Sequence, residues 1–130
     1  MKKPIILIVD DVAEIRKTLH DFLQIRYEAD FKEARDGEKA IEYIKSNPCD
    51  LVLLDIKMPK KGGVTVIKEA KQHDPNIDIL VVSSYTSEDV EEEALQYGAT
   101  DYATKPVNLK AIDTKVKKIL EKRGQLISKI

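Results

Sequence analysis

Two continuous apolar runs, each followed at once by aspartate, constrain this chain more than any other feature. Residues 5–9 lead into Asp10 and Asp11, and residues 51–54 lead into Asp55. Apolar runs without polar interruption are typical of strands that are buried on both faces of a parallel sheet. If these two strands are neighbours, three carboxylates meet at one edge of the sheet. Their mutual repulsion then calls for a divalent cation or a lysine as compensation.

Two more strand-like segments bring polar side chains to the same edge. Residues 79–82 end at Ser83, and residues 101–104 end at Lys105, which is the candidate lysine for the acidic cluster. In open sheets of alternating strands and helices, ligands bind beyond the carboxyl ends of the strands, near the switch in strand order. A solvated surface aspartate has no reason to choose the same end of every strand. The common position of these residues therefore predicts a functional site.

Helical spacing of apolar residues between the strands predicts an α/β domain. The predicted helices lie at about 13–24, around 40–44, around 64–70, after a cap at Thr86 or Ser87, and at about 109–120, and a weaker strand lies within 27–35. Strand and helix thus alternate five times. This alternation indicates a parallel sheet with helices on both faces, joined by right-handed crossovers.

Composition limits the classes of function. The 130 residues fit a single domain, and their formal net charge of -1 creates no global field that would recruit nucleic acid or an anionic membrane. No apolar run is long enough to span a bilayer, and no apolar signal segment follows Lys2 and Lys3. Cys49 is the only cysteine and is interpreted as a small buried hydrophobe. These features favour a reduced, cytoplasmic protein.

Several motifs occur together in an order that resembles the receiver domain of response regulators in two-component signalling. They are Val9-Asp10-Asp11, Glu33-Ala34-Arg35-Asp36-Gly37, Asp55 with Met58-Pro59 and Gly63 after it, Ser83, Gly98-Ala99-Thr100-Asp101-Tyr102, and Lys105-Pro106. The resemblance extends from about Ile5 to Leu120 and implies a flavodoxin-like, doubly wound five-stranded sheet of order 2-1-3-4-5 with five helices. It also implies a receiver domain at 1–123 and a short C-terminal tail at 124–130.

By this resemblance, the site has a role for each of its residues. Asp55 takes a phosphoryl group from a phosphohistidine, with Lys105 and Ser83 contacting the phosphoryl oxygens. Mg²⁺, for which Mn²⁺ can substitute, is held by Asp10, Asp11, Asp55 and the backbone carbonyl of Lys57, all of which are hard oxygen ligands. Ser83 and Tyr102 form the switch that changes the surface of the fourth helix, fifth strand and fifth helix.

The resemblance further implies the partners. A sensor histidine kinase or a histidine phosphotransfer protein donates the phosphoryl group, and a downstream protein binds the fourth helix, fifth strand and fifth helix. No direct contact with nucleic acid and no membrane insertion are expected. The chain is expected to be a phosphoacceptor that assists its own phosphorylation and dephosphorylation, not an enzyme. Ser84 stands where the family commonly has alanine or glycine, and Lys57 and Tyr85 flank the route of an attacking water, so the lifetime of the phosphorylated form is left open.

Because only a short tail follows Arg123 and Gly124, the chain is expected to be a stand-alone single-domain regulator that acts through protein contact. Four alternatives differ from this expectation. The chain could be the receiver fragment of a larger regulator. A Mg²⁺-dependent phosphatase with an aspartyl-phosphate intermediate is disfavoured, because such enzymes carry a second acid two residues after the nucleophile on the first strand and usually a cap domain. A flavodoxin is disfavoured because the turn after the first strand lacks a Ser/Thr/Gly-rich phosphate cradle. A receiver-like module that never carries phosphate finds no support, since the site lacks none of its expected residues.

Overall fold

The computed structural model describes residues 2–56, 62–84 and 88–129, without the side chains of 88–90. The strands are β1 (Ile5–Val9), β2 (Asp30–Ala34), β3 (Leu51–Leu54), β4 (Asp78–Ser83) and β5 (Asp101–Thr104). The helices are α1 (Ala13–Arg26), α2 (Gly37–Ser46), α3 (Gly63–His73), α4 (Glu88–Gln96) and α5 (Leu109–Arg123). All neighbouring strands are parallel and follow the order β2-β1-β3-β4-β5. The predicted fold is confirmed.

The register of the sheet brings the carboxyl ends of its strands to one edge, and β4 continues two residues beyond Val81, the partner of the last β3 residue, Leu54. Val9 pairs with Leu54 across β1 and β3, and Ser83 pairs with Thr104 across β4 and β5. The residue that follows each strand therefore projects beyond the same edge. The strand order switches between β1 and β3, because the chain leaves β1 for the outer strand β2 and then returns to the other side.

The core lies on both faces of the sheet, which explains why the strands are apolar without alternation. One buried cluster joins the sheet to α2, α3 and α4 and includes Leu7 and Leu54. The other joins it to α1 and α5 and includes Ile8 and Leu53. Successive residues of a strand thus enter opposite clusters, and both clusters are apolar. The edge strand β2 is more exposed, in keeping with its polar sequence.

The helix ends explain the differences from the predicted bounds. α1 continues past the predicted end near residue 24 to Arg26, because the exposed Ile25 and the half-buried Arg26 extend the helix beyond its last buried position, Leu23. The side chain of Asp36 caps α2 by accepting a hydrogen bond from the Lys39 backbone N–H at 2.8 Å. Asn108, which the sequence analysis did not single out, caps α5 in the same way. The predicted caps of α4, Thr86 and Ser87, lie outside the described residues.

The last residues of the chain pack against the end of α1. Gly124 ends α5 in the left-handed conformation, with a φ of 70° that favours glycine. Ser128 then forms an antiparallel bridge with Tyr27, and the Glu28 N–H donates to the Ile127 carbonyl at 2.8 Å. Leu126 contacts the core cluster between the sheet and α5. Across the described ranges, no helix has the length and apolar character needed to cross a membrane.

Candidate functional site

Three carboxylates converge at the carboxyl edge of the sheet. Asp10 follows β1 and Asp55 follows β3, and both are buried, with exposed fractions of 2% and 5%. Asp11 is exposed beside them. One carboxylate oxygen from each residue lies within 4.8 Å of the others. The structure thus brings together the three acids that the sequence analysis expected at one site.

The ammonium group of Lys105 lies between the two buried carboxylates. Its Nζ is 2.7 Å from Asp10 Oδ2 and 3.1 Å from Asp55 Oδ2. Burial by itself would lower the pKa of Lys105, but the hydrogen bond to Asp10 and the charge of Asp55 outweigh it, so the pKa is raised from its ordinary value. The lysine therefore stays charged at neutral pH and compensates both acids.

Ser83 contacts the other oxygen of Asp55. Its fully buried hydroxyl donates to Asp55 Oδ1 at 3.0 Å. Its carbonyl accepts a hydrogen bond from the Lys105 backbone N–H at 3.0 Å, where β5 leaves the sheet. Ser83 is thus connected through its side chain to Asp55 and through its backbone to Lys105. Each oxygen of the Asp55 carboxylate has a hydrogen-bond donor.

Asp10 is held at every polar position. Its N–H donates to the Ala34 carbonyl at 3.2 Å, and its Oδ1 accepts from the Val12 N–H at 2.9 Å. Its Oδ2 accepts from Lys105, and its carbonyl oxygen accepts from the Arg16 guanidinium at 2.6 Å. The contact of Arg16 could not be predicted from the sequence, because its acceptor is a backbone carbonyl, a group that every residue has.

Tyr102 lies on β5, next to the β4 residue Val81, and belongs to the core cluster on the α2, α3 and α4 side. It is 8% exposed, so the ring lies inward. Burial raises the pKa of its hydroxyl, and the negative charges of Glu91 and Asp55 add to the effect. Through Val81, the register of the sheet aligns Tyr102 with Leu54, the residue before Asp55.

The remaining predicted residues lie partly outside the described part of the chain. Lys57, whose carbonyl was expected to bind the metal, is outside it, as are Met58, Pro59 and Tyr85. Ser84 is described and exposed.

The acidic cluster fits a divalent cation by charge and by donor type. The cluster consists of three carboxylates, and one ammonium group contacts two of them, which leaves about two negative charges to be compensated. All the donors are carboxylate oxygens, the ligands that Mg²⁺ prefers. The Asp11 carboxylate has no hydrogen bond or ion pair with another described residue, so its oxygens are open to a metal.

Comparison with known proteins places the chain in a family. The model of the response regulator receiver domain matches residues 6–117. The chain belongs to this family, whose members are signalling phosphoacceptor domains, and the predicted family is confirmed.

Individual relatives agree with this assignment. The chain is 39% identical over 101 residues to the chemotaxis protein CheY of Bacillus subtilis, covering 78% of this chain and 84% of that protein. It is 31% identical over 120 residues to the transcriptional regulatory protein CiaR of Streptococcus pneumoniae, covering 92% of this chain but 53% of that one. This chain therefore matches most of the first relative and about half of the second.

Solved structures share the fold over nearly the whole chain. A CheY-like receiver domain protein from Methanospirillum hungatei superposes with a TM-score of 0.89 at 27% identity, covering 95% of this chain and 98% of that one. CheY in the CheX-CheY-BeF3-Mg complex from Borrelia burgdorferi superposes with a TM-score of 0.81 at 27% identity, covering 90% and 89%. The same fold thus occurs with magnesium and a beryllofluoride group in that protein.

Proposed function

We propose that this chain is a phosphoacceptor response regulator in which Asp55 receives a phosphoryl group from a phosphohistidine. The donor is a sensor histidine kinase or a histidine phosphotransfer protein. The observation that carries the proposal is the hydrogen bonding of the Asp55 carboxylate at the carboxyl edge of the sheet. Lys105 donates to one of its oxygens and Ser83 donates to the other. Both donors are suited to the oxygens of an incoming phosphoryl group.

The proposed transfer is a displacement at phosphorus. One Asp55 carboxylate oxygen forms a bond to phosphorus while the phosphorus–nitrogen bond of the phosphohistidine breaks, and the electron pair of that bond stays on the imidazole nitrogen. A carboxylate is a weak nucleophile at an anionic phosphorus, so positioning and charge neutralisation carry the catalysis. The oxygen that attacks loses its present hydrogen bond, and its donor, Lys105 or Ser83, becomes available to a phosphoryl oxygen.

We propose that Mg²⁺ binds at Asp10, Asp11 and Asp55, with the Lys57 carbonyl as a further ligand. When bound, the ion neutralises negative charge on the phosphoryl oxygens. Both Asp10 oxygens already accept a hydrogen bond, from Val12 and Lys105. Asp11 is open, which supports it as the main side-chain ligand after Asp55. Mn²⁺, which also takes oxygen ligands, can substitute.

We propose that phosphorylation shifts a two-state equilibrium through Ser83 and Tyr102. A change from about 1:99 to 99:1 needs about 5.5 kcal/mol of differential interaction, whereas one charge-assisted hydrogen bond supplies about 1.5–3 kcal/mol. A partial shift, completed by a partner protein on the α4–β5–α5 face, is therefore expected. The Tyr102 ring already lies inward in this structure. In the proposed equilibrium, phosphorylation increases the population of this inward conformation. In beryllofluoride NMR titrations, Ser83→Ala should remove the Tyr102 shifts; unchanged shifts would contradict this route.

The proposed organisation is a receiver domain at 1–123 followed by a tail at 124–130. We propose that it acts in the cytoplasm by protein contact, as a single-domain regulator that is not an enzyme in its own right. The 84% coverage of the Bacillus subtilis CheY protein supports this organisation. The 53% coverage of CiaR supports the alternative, a receiver fragment of a longer regulator.

The proposed phosphoacceptor is tested by incubating the full chain with acetyl phosphate and Mg²⁺ and measuring the mass of the intact protein by mass spectrometry. One phosphoryl group should be added, and Asp55→Asn should abolish the addition. Asp36→Asn is the matched control, because Asp36 is also buried near this edge and asparagine is an equally good helix cap. Undiminished labelling of the Asp55 variant would refute the assignment.

A further inference from the structure

Arg16 makes a pair of contacts that the proposed transfer does not explain. Its Nη1 donates to the Asp10 carbonyl oxygen at 2.6 Å, and its Nε donates to Glu33 Oε1 on β2 at 3.0 Å. The side chain is 18% exposed, although it carries a full charge. The guanidinium thus joins the edge strand of the sheet to the turn that carries the acidic pair.

The location of Arg16 makes a role in the stability of α1 a poor explanation. The residue lies about one turn from the start of α1, where the helix dipole disfavours a positive charge. It also adds positive charge next to a site that has to attract a cation. What offsets these costs is the ion pair with Glu33, whose other oxygen lies 3.3 Å from His20 Nδ1.

The contact with the Asp10 carbonyl fixes a peptide plane that matters for the metal. The peptide that carries this carbonyl also carries the N–H of Asp11, so its orientation sets the direction in which Asp11 leaves β1. The other polar groups of Asp10 are held by Ala34, Val12 and Lys105. The Asp11 side chain has no such support from the rest of the described chain. Arg16 is therefore the group that can orient Asp11 indirectly.

We propose that Arg16 is a positioning residue for the metal site: held by Glu33, it fixes the Asp10–Asp11 peptide so that the Asp11 carboxylate is ready to bind the cation. This inference rests on the proposed function. It requires the fork of an arginine, because a lysine ammonium at the same position has no rigid pair of donors to reach both acceptors. Residues that orient metal ligands typically change metal affinity by 10- to 100-fold when they are removed.

The sign of the effect separates positioning from simple charge. Arg16→Met removes a positive charge beside three carboxylates, so electrostatics alone would strengthen cation binding. Loss of positioning would weaken it, by about tenfold. Binding is measured on the full chain by titration with Mn²⁺, following the free ion by its electron paramagnetic resonance signal. Lys17→Met is the matched control, because Lys17 is the next residue on α1, carries the same charge and pairs only with Asp21 in the described chain.

A second readout separates positioning from a general loss of structure. Phosphorylation of Arg16→Met by acetyl phosphate should be slow at low Mg²⁺ and should approach the wild-type rate at saturating Mg²⁺, whereas a damaged fold would stay slow throughout. Arg16→Lys should show an intermediate Mn²⁺ affinity. Affinity of Arg16→Met equal to or tighter than that of the wild type overturns the inference but leaves the proposed function intact. A wild-type chain that binds no Mn²⁺ overturns both.

Discussion

Replacement of Lys105 by methionine tests whether its ammonium group and a metal ion compensate the same charges. In the structure, this ammonium lies 2.7 Å from one Asp10 oxygen and 3.1 Å from one Asp55 oxygen, and the lysine side chain is 13% exposed. Methionine keeps the length and the apolar stem but removes the charge. Two buried carboxylates then repel each other, although Asp10 keeps its hydrogen bond from the Val12 N–H and Asp55 keeps its hydrogen bond from the Ser83 hydroxyl.

The expected loss of stability in a chelating buffer is about 3 kcal/mol. Removal of one partner from a buried ion pair costs about 3–5 kcal/mol, and the hydrogen bonds that remain put this site at the lower end. Saturating Mg²⁺ should narrow the difference between variant and wild type, because the ion replaces the lost positive charge. If Lys105 lowers the affinity of the site for Mg²⁺ by about tenfold, saturating Mg²⁺ narrows the difference in the free energy of unfolding between variant and wild type by about 1.4 kcal/mol.

The measurement is urea unfolding of both proteins, with chelator and with saturating Mg²⁺. Lys115→Met is the control: its ion pair with Asp101 has a similar distance of 3.0 Å but is more exposed, at 31% and 42% for the two side chains, so its loss should cost about 0–1 kcal/mol and should not depend on Mg²⁺. A difference for Lys105→Met that is the same in both buffers would refute the reasoning.

The pH dependence of the Lys105 contribution follows from the direction of its pKa shift. The pKa is raised in the folded protein, so the charged form is favoured by folding. The contribution of Lys105 to stability is fully present at any pH below the ordinary pKa of lysine. It is lost only as the pH rises through the raised pKa of the folded protein. The difference between Lys105→Met and the wild type should therefore stay constant from neutral to mildly alkaline pH and shrink only in strong alkali.

Three further predictions follow from single contacts. Asp11→Ala should weaken Mn²⁺ binding by more than about tenfold, since loss of a metal ligand costs more than loss of a residue that orients one. The urea midpoint should stay nearly unchanged because Asp11 is exposed. Unchanged Mn²⁺ affinity would count against the site. In Gly63→Ala, the new Cβ would lie 2.4 Å from Ile56 Cα, so the backbone next to Asp55, the proposed phosphoacceptor, must move. We expect a loss of about 1–3 kcal/mol in urea unfolding, against no such loss for Gly62→Ala, which meets no atom within 4 Å; equal stabilities would contradict the close approach. Burial raises the pKa of Cys49 to about 12, so a thiol reagent at pH 8 should react only after unfolding in urea, and fast reaction of the native protein would refute the burial.

The strands and the acidic cluster could be predicted from the sequence because their causes are local. A strand that is buried on both faces must be apolar throughout, and the polar residues that follow its last apolar position lie at the carboxyl edge of the sheet. Asp10, Asp55 and Lys105 all satisfy this rule, so the parallel order alone brings them to one edge. The apolar pattern also found α1, α2, α3 and α5, since it marks the buried face, whereas α4 was predicted from its possible caps, Thr86 and Ser87.

Contacts between distant polar groups could not be predicted in this way. Arg16 donates to a backbone carbonyl, which every residue possesses, so nothing in the sequence distinguishes its acceptor. The bridge between Tyr27 and Ser128 joins residues that are far apart in the sequence. The short C-terminal tail that contains Ser128 has no strand pattern of its own. The end of α1 at Arg26 was missed because exposed helical residues carry no periodic signal.

The two edges of the sheet use the same charge arrangement with different cations. At the carboxyl edge, Lys105 joins Asp10 and Asp55. At the amino edge, Arg123 joins Asp50 at 3.0 Å and Asp78 at 2.9 Å, and it also donates to the Asn76 carbonyl at 2.7 Å.

The choice of cation suits what each edge has to do. The planar fork of arginine fixes several acceptors at once, and the Arg123 contacts tie α5 to the starts of β3 and β4, a geometry that need not change. The lysine ammonium is a compact charge on a flexible stem, so it can leave a carboxylate for a phosphoryl oxygen without breaking a two-point contact. The Arg123 pairs therefore suit a fixed contact, whereas the Lys105 pairs suit the exchange of partners that the proposed phosphoacceptor site requires.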